Sequence, residues 1–243
     1  MQAFILAAGL GTRLHPLTDH RPKALVEVNG VPLLKMAIDN LVRQGAEHIV
    51  VNVHHFADMV CDYLASCKWP AEIAISDERD MLLDTGGALK KAAPLFLPQE
   101  QIVVYNVDIL SRLDFNELVD FHKHSGNLAT LAVCHRTTSR YLLFDHEGQL
   151  TGWTNRKSGE FLWANGPQTG CTELAFSGIS IIDPLLPNLL PAANHPYPII
   201  PQYLNLAKYH RIRLFEHPAD TWLDVGTPEK LNLAQQWNHF SAK

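Results

Sequence analysis

The sequence predicts an α/β fold in which a mixed, mainly parallel central sheet lies between two layers of helices, beside a small antiparallel region. Residues 1–75 alternate buried apolar runs with helical patterns in the order β-α-β-α-β. That order implies a parallel sheet covered by helices on both faces. From Tyr141 to Asp183 the strands become short, turns are frequent and no helical pattern intervenes. This change in the sequence pattern predicts antiparallel hairpins in the second half of the chain.

Each predicted element depends on a local pattern. The apolar strand Phe4-Ile5-Leu6 leads into a glycine-rich turn, and Pro32 and Gly45 mark the two ends of the first helix. Further strands are predicted at residues 48–53, 73–75, 101–106, 127–134, 173–182 and 211–215, and helices at 32–44, 56–66, 114–124, 184–190, 199–209 and after Pro228. Gly178, inside the strand at 173–182, indicates a bulge or a close backbone approach.

The composition is that of an ordinary globular protein. The 243 residues are 47% hydrophobic and 19% charged, which fits one large α/β domain. The net charge of -5 argues against broad binding to nucleic acid or to anionic membranes. No stretch approaches the ~20 apolar residues of a membrane span. We therefore expect a cytoplasmic enzyme without a signal peptide and without nucleic-acid or membrane partners.

The cysteines and histidines predict no metal centre. The four cysteines lack metal-like spacing and are expected to be reduced thiols rather than disulfides; they are Cys61, Cys67, Cys134 and Cys171. His122 and His124 are two residues apart on a predicted helix, so their rings diverge. We expect them to be surface residues rather than zinc ligands.

The stretch from Ala7 to Leu25 (AAGLGTRLHPLTDHRPKAL) has the residue types of a polyphosphate site. Gly9 and Gly11 allow backbone amides to approach a ligand, and successive amides form an anion-binding concavity. Arg13 supplies a planar fork for phosphate oxygens, and Lys23 supplies a compact positive charge. A tight turn with two solvated basic residues would show the same glycines. The whole string of residues is a more specific indication of a phosphate site than the two glycines alone.

This string resembles the signature of the sugar-1-phosphate nucleotidyltransferases, through GLGTRL at 9–14, PLT at 16–18 and PKAL at 22–25. A dinucleotide fingerprint would need glycine at Leu14, and a Walker A loop would need Gly-Lys-Ser/Thr after four spacers. The resemblance implies the Rossmann-like α/β/α fold of nucleotide-diphospho-sugar transferases. It also implies contacts to the triphosphate from the first loop, namely from Ala8, Gly9, Gly11, Thr12, Arg13 and Lys23, with Arg13 and Lys23 also catalytic.

A second glycine-containing segment, Asp84-Thr85-Gly86-Gly87, is expected to open a helix that Thr85 caps. Two adjacent glycines weaken a helix, so something should require a close backbone approach there. Tight packing of the helix on the sheet is one reading. The resemblance favours the other, in which Thr85 and Gly86 lie beside the base and ribose of the nucleotide.

Two aspartates each follow or end an apolar strand, a position where an unpaired charge is unexpected. Asp108 comes after the strand at 101–106, and Asp224 lies in the segment WLDVGTPE at 222–229. Asp108 can be a helix cap or turn residue. The resemblance implies instead that Asp108 and Asp224 bind Mg²⁺ between the nucleotide and the sugar phosphate. Many relatives have glycine where this chain has Val107.

The acceptor side is the least explicit part of the sequence. Many relatives hold the sugar 1-phosphate with a lysine in a Glu-Lys-Pro context, which this chain lacks. Arg156 and Lys157 are the nearest cationic candidates, although a solvated hairpin tip would also carry them. The predicted contacts to the sugar phosphate come from Asn155, Lys157, Glu173 and Gly178.

The expected reaction is attack by a sugar-1-phosphate oxygen on the α-phosphorus of a nucleoside triphosphate, with pyrophosphate leaving in line. The resemblance implies one domain over residues 1–243, with a nucleotide-binding part at about 1–135 and a sugar-phosphate-binding part at about 136–243. Within the family the chain is most similar to N-acetylmuramate-1-phosphate uridylyltransferases and to mannose-1-phosphate guanylyltransferase-like proteins. Uracil-reading relatives often have a glutamine before Thr-Gly, and residues 77–83 have none.

Two other functions stay open from the sequence. One is a catalytically silent nucleotide-sugar sensor, although such a protein need not keep Lys23, Arg13 and both aspartates. The other is a nucleotide-dependent oxidoreductase, which Leu14 disfavours. The sequence does not indicate an oligomeric state.

Overall fold

The computed structural model describes residues 1–237. Within them the strands are β1 (Gln2–Leu6), β2 (Glu27–Val28), β3 (Val31–Pro32), β4 (His48–Val53), β5 (Glu72–Asp77), β6 (Ile102–Asn106), β7 (Ile109–Ser111), β8 (Ala129–Cys134), β9 (Arg140–Phe144), β10 (Leu150–Asn155), β11 (Glu160–Trp163), β12 (Thr172–Ile182), β13 (Ile212–Glu216) and β14 (Trp222–Asp224). The helices are α1 (Leu33–Arg43), α2 (Ala57–Ser66), α3 (Asp84–Ala92), α4 (Phe115–Ser125), α5 (Leu186–Leu189), α6 (Ile199–Leu206) and α7 (Pro228–Ala234).

A mixed sheet forms the centre of the molecule, in the order β11-β10-β9-β12-β6-β1-β4-β5. Strands β6, β1, β4 and β5 run parallel to one another. Strand β12 lies beside β6 and runs antiparallel to it. Strand β8 pairs with β12 antiparallel and with β13 in parallel. The predicted fold class is therefore confirmed, including the antiparallel hairpins β9–β10–β11 in the second half.

The core lies on both faces of this sheet because successive side chains of a strand point to opposite sides. In β1, Ala3 and Ile5 pack into one apolar cluster with helices α1 and α2. Phe4, between them, packs into a second cluster with α3 and α6. This alternation produces the three-layer arrangement. Among the described residues no helix is both long and apolar enough to cross a membrane.

The long strand β12 joins the two halves of the sheet. Its last residues pair with β6, its first residues pair with β9, and its register against β8 shifts between Phe176 and Ser180. Gly178 lies inside this shift with φ of +71°, and a Cβ there would fall 2.6 Å from Asn106 Nδ2. Both the positive φ and the close approach require glycine. The predicted irregularity at Gly178 is confirmed.

Most predicted element boundaries agree with the structure within a few residues, and two details differ. His122 is only 2% exposed and its Nδ1 lies 2.9 Å from Thr130 Oγ1, so the prediction of a surface position was wrong. Burial lowers the pKa of His122 to about 4. The short pair β7–β14 was not predicted as a unit. The four cysteines are free, as expected.

The carboxyl ends of four neighbouring strands place the candidate site. Strand β1 ends at Leu6 before the first loop, β6 ends at Asn106 before Asp108, and β4 and β5 end at Val53 and Asp77. In open α/β sheets ligands bind at this edge.

Candidate active site

The first loop is anchored to the sheet by one buried amide. The backbone N–H groups of Ala7 and Ala8 donate to Asn52 Oδ1 at 2.6 and 3.2 Å. Gly11 has φ of +69°, and a Cβ there would lie 2.9 Å from Thr18 Cγ2 and 3.0 Å from Lys23 Cβ. Glycine at this position thus lets the loop fold back over Lys23.

Asn52 also connects the first loop to the segment before α3. Its Nδ2 donates to Glu78 Oε1 at 2.8 Å, and the backbone N–H of Leu83 donates to Glu78 Oε2 at 3.1 Å. Glu78 is completely buried. Burial raises the pKa of Glu78 above its ordinary value, although the bonds from Asn52 and Leu83 oppose this. One carboxyl group therefore holds two loops of the site in fixed relation.

Lys23 and Asp108 form an ion pair at the mouth of this edge. The Lys23 Nζ donates to Asp108 Oδ2, and both side chains are nearly buried, with exposures of 13% and 12%. Lys23 comes from the end of the first loop, and Asp108 follows β6. The structure thus brings together two predicted residues that are 85 positions apart in the sequence.

Asp224 reaches the same edge through the pair β7–β14. Asp224 is opposite Ile109 in that pair, and the backbone N–H of Val225 donates to Asp108 O at 2.8 Å. The two predicted metal-binding aspartates therefore lie on adjoining segments. This backbone connection brings the two segments together, although Asp108 lines the cavity described below and Asp224 does not, so a shared cleft stays a prediction.

Asp224 lies among positive groups. Its Oδ2 accepts from Lys230 Nζ, and its Oδ1 accepts from the Gly226 N–H at 3.0 Å. A Cβ on Gly226 would fall 2.7 Å from Arg13 Nη2, so the guanidinium closes over this turn. Burial alone would raise the pKa of Asp224, but the Lys230 and Gly226 hydrogen bonds and the charges of Lys230 and Arg13 outweigh burial and lower it.

A cavity of about 420 Å³ opens beside Lys23 and Asp108, a volume typical of small-molecule sites. Its wall combines apolar, amide and charged groups from all four strand ends; they are Leu6, Ala8, Gly9, Lys23, Asn52, Glu78, Leu82, Asp84, Thr85, Asn106, Val107, Asp108 and Pro196. Five of the residues predicted to bind nucleotide or metal line it, namely Ala8, Gly9, Lys23, Thr85 and Asp108. Thr12 and Arg13 lie exposed at the loop surface.

The Thr-Gly-Gly segment has a structural explanation that the sequence did not reveal. Helix α3 begins at Asp84 and Thr85 is not its cap, so that expectation was wrong; the Thr85 hydroxyl instead accepts from Ile199 N at 2.9 Å. A Cβ on Gly86 would fall 2.6 Å from the Tyr197 ring. The N–H groups of Gly86 and Gly87 donate to Tyr197 O at 2.9 and 3.3 Å. The close partner of the glycines is thus the Tyr197 segment, while contact of Thr85 and Gly86 with a nucleotide stays a prediction.

The predicted acceptor residues lie in two places. Arg156 Nε donates to Glu173 Oε2 at 3.1 Å in a paired fork, so this arginine is already neutralised. Lys157 is exposed at the hairpin tip, where its N–H donates to Asn155 Oδ1 at 3.1 Å. Gly178 lies apart from them, beside Asn106 at the first cavity.

The carboxylates at this edge of the sheet are the candidate ligands for the Mg²⁺ that the resemblance implies. The described residues contain no group of three or more histidine, cysteine or acidic side chains that could hold a metal. Asp108 and Asp224 supply two carboxylates on adjoining segments, and each is held by a lysine. Mg²⁺ is commonly bound by one or two carboxylates together with substrate phosphates and waters. The residues present fit such a shared site.

Three site residues escaped the sequence analysis. Asn52 is a polar residue within the buried strand β4, and Glu78 is an acid directly after the partly exposed strand β5. Lys230 lies in the first turn of α7. The residues before it, Thr227 and Pro228, form a helix-capping pattern, and nothing in that pattern indicates a functional role for Lys230. Polar residues near the carboxyl ends of β4 and β5 are the sequence signal for Asn52 and Glu78.

The chain is similar to proteins of one family. Residues 2–149 match the family model described as Nucleotidyl transferase. The N-acetylmuramate alpha-1-phosphate uridylyltransferase of Caulobacter vibrioides is 34% identical over 93% of this chain and 92% of its own length. A putative mannose-1-phosphate guanyltransferase of Sulfolobus acidocaldarius is 27% identical over 96% of this chain, which spans 62% of that protein.

Solved structures show the same fold. HddC from Yersinia pseudotuberculosis superposes with a TM-score of 0.78 at 22% identity, covering 97% of this chain and 98% of its own. A putative glucose-1-phosphate thymidylyltransferase from Bacillus anthracis superposes with a TM-score of 0.79 at 19% identity, covering 100% of this chain and 97% of its own.

Proposed function

This chain belongs to the nucleotidyl transferase family and is a sugar-1-phosphate nucleotidyltransferase, and from that premise we propose that it transfers the uridylyl group of UTP to N-acetylmuramate 1-phosphate or a related hexose 1-phosphate. This choice is supported by how much of each relative's length the chain aligns with. The uridylyltransferase of Caulobacter vibrioides aligns over 92% of its length, whereas this chain spans 62% of the Sulfolobus acidocaldarius guanyltransferase.

The reaction joins two anions, so its main obstacle is electrostatic. An oxygen of the sugar 1-phosphate attacks the α-phosphorus of UTP, the bond from that phosphorus to the bridging oxygen breaks, and pyrophosphate leaves with the electron pair. The nucleophile is already ionised, so no general base is required. Positioning and charge compensation then supply most of the rate enhancement.

The chain's own cations suit this task. Lys23 projects into the first cavity and carries a compact charge to the phosphates near the reacting phosphorus. Arg13, held over the Gly226 turn, presents a planar fork to the departing pyrophosphate. The Ala8 and Gly9 residues line the same cavity, where their backbone would lie beside the triphosphate.

Asp108 and Asp224 would hold Mg²⁺ in this scheme. Bound there, the ion would supply Lewis-acid compensation of the phosphate charge. The positive groups around Asp224 lower its pKa, which keeps this carboxylate ionised and available as a ligand. For the acceptor, we propose contacts from Asn155, Lys157, Glu173 and Gly178.

A second assignment, transfer of a guanylyl group to mannose 1-phosphate, has a specific observation in its favour. Residues 77–83 contain no glutamine before the Thr-Gly pair, and several relatives are guanyltransferases. A solved HddC structure is a complex with GMP-PN. A silent sensor is not favoured, because the Lys23–Asp108 pair and Asp224 are all in place at one edge.

The test is a pyrophosphate-release assay with every combination of UTP, GTP, CTP and dTTP with the 1-phosphates of N-acetylmuramate, N-acetylglucosamine and mannose. We expect the highest kcat/KM for UTP with N-acetylmuramate 1-phosphate. The Asp108→Asn variant is the matched control for contaminating activity. A maximum at GTP with mannose 1-phosphate would replace the first assignment by the second, and no release with any pair would support the sensor.

A further inference from the structure

A second cavity, of about 570 Å³, lies on the acceptor side of the molecule and has no assigned role. Its wall is formed by the hairpin β9–β10–β11, by β12 and by the start of α6. Two arginines and three aromatic side chains lie on this wall, namely Arg136, Arg140, Tyr141, Trp153 and Phe176. Glu160 is the one acidic side chain in the part of the wall that the structure describes.

This second cavity adjoins the first one. The segment 196–201 separates them, with Pro196 on the wall of the first cavity and Pro198 and Ile200 on the wall of the second. The segment is fastened by the bond from Ile199 N to Thr85 Oγ1. Both cavities therefore border one segment, and a substrate with its phosphate at Asp108 would direct a substituent across that segment.

The two arginines of the second cavity have no acidic partner among residues 1–237. Arg136 is held by a bond from its Nη2 to Phe176 O at 2.8 Å and by stacking over Trp222, with its guanidinium carbon 4.4 Å from the ring centroid. Arg140 is exposed, and within the same residues its guanidinium makes no hydrogen bond or ion pair. Arg156, by contrast, is neutralised by Glu173.

We infer that the second cavity is a subsite for a carboxylate carried by the sugar acceptor, with Arg136 and Arg140 as the groups that read it. The position of the sugar in this inference rests on the proposed function. Guanidinium groups match a carboxylate with parallel N–H···O bonds, and the aromatic walls suit the apolar face of a sugar. A neutral hexose would leave both charges uncompensated. The substrate class is therefore a carboxylated sugar 1-phosphate, with the lactyl ether of N-acetylmuramate as the expected source of the carboxylate.

The test compares kcat/KM for matched acceptor pairs that differ in a carboxylate. The first pair is N-acetylmuramate 1-phosphate and N-acetylglucosamine 1-phosphate, which lacks the lactyl group. The second pair is glucuronate 1-phosphate and glucose 1-phosphate. We expect the wild-type protein to prefer the carboxylated member of the first pair by about tenfold or more, the effect of a charge-assisted hydrogen bond.

Substitution of the arginines identifies the groups that act. Arg140→Ala is expected to remove most of this preference by raising KM for N-acetylmuramate 1-phosphate. The kcat/KM for N-acetylglucosamine 1-phosphate and the KM for the triphosphate should stay within about twofold, because one uncompensated exposed charge contributes little elsewhere. Arg136→Lys keeps the charge but loses the planar fork, so a partial loss is expected without loss of the fold. Arg211→Ala is the control because it removes the same charge from an exposed arginine outside the second cavity. Among residues 1–237 the Arg211 guanidinium donates only to Ser125 O.

The outcomes separate this inference from the proposed function. Preference for glucuronate 1-phosphate alone would reject N-acetylmuramate as the acceptor but support the carboxylate subsite. No preference within either pair would overturn the subsite even if the enzyme is active. A full preference retained in both the Arg140→Ala and the Arg136→Lys proteins would also overturn it.

Discussion

The buried carboxyl group of Glu78 offers a quantitative test of how the site is held together. Glu78→Ala would remove the acceptor of two buried donors, Asn52 Nδ2 at 2.8 Å and Leu83 N at 3.1 Å. A buried donor left without a partner costs about 1–3 kcal/mol. The two donors together therefore predict a loss of about 2–6 kcal/mol of unfolding free energy. For a chain of this size that corresponds to a decrease in Tm of roughly 4–24 °C.

Glu78→Gln is the matched variant, because it keeps the volume of the side chain but only one acceptor oxygen. We expect a decrease in stability of about half that of the alanine variant, since one donor then lacks a partner. Asn52 also orients the Ala7 and Ala8 amides, so both variants should raise KM for the triphosphate. Thermal unfolding followed by circular dichroism, with steady-state kinetics, measures both effects.

The stabilising effect of Glu78 should also depend on pH, whereas the effect of a simple packing defect would not. Burial raises the pKa of Glu78 above its ordinary value of 4.5, so the folded state holds this proton more tightly than the unfolded state. The stabilising contribution is present below the unfolded pKa and is lost as the pH rises through the folded pKa. The Tm advantage of wild type over Glu78→Gln should therefore shrink as the pH rises from about 4.5. A Tm for Glu78→Ala within about 2 °C of wild type, or an advantage that grows with pH, would refute this reasoning.

Three further predictions concern the same edge of the sheet. Asp108→Asn and Asp224→Asn should each lower kcat by about 10²–10³ while leaving Tm nearly unchanged, and the double variant should be much less than additively worse. Lys23→Ala should lower kcat/KM by a similar factor, because its charge serves the phosphates. Gly86→Ala should lower Tm by roughly 2–12 °C, since its Cβ would overlap the Tyr197 ring and overpacking costs ~1–3 kcal/mol.

Each of these has a result that would contradict it. Near-normal turnover of either asparagine variant at limiting Mg²⁺ would remove that aspartate from the metal site. A large decrease in Tm for Lys23→Ala with intact specific activity would give the lysine a structural role only. Unchanged Tm for Gly86→Ala with a raised KM for the triphosphate would favour nucleotide contact over packing as the reason for the glycine. Circular dichroism and initial-rate kinetics on the purified variants measure all three.

The sequence predicted the fold because the fold depends on local signals. Apolar runs and helix boundaries predicted the parallel strands, and an acid after an apolar strand identified Asp108. Thr85 was misassigned as a cap because its partner, Ile199, lies 114 residues away. His122 was misassigned because its partner Thr130 lies on the strand beneath the helix rather than on the helix itself.

The electrostatic partners could not be predicted for the same reason. That Lys23 meets Asp108, and that Lys230 meets Asp224, depends on how the first loop and α7 fold over the sheet edge. The role of Arg156 also changes with its context, since its pairing with Glu173 became visible only when β10 and β12 were placed. The residue types predict which cations could bind phosphates. Only the fold shows which of those cations already form an ion pair with an acidic side chain.

The most direct test of the central claim follows the α-phosphorus of the nucleotide. With N-acetylmuramate 1-phosphate and UTP labelled with ³²P at the α-position, the label should appear in a nucleotide-sugar that retains the sugar's own phosphorus. With UTP labelled at the γ-position, the label should appear only in pyrophosphate, and Asp108→Asn should slow the formation of both products by about 10²–10³. Release of γ-label as inorganic phosphate without a nucleotide-sugar, or no turnover of any sugar 1-phosphate, would contradict the assignment.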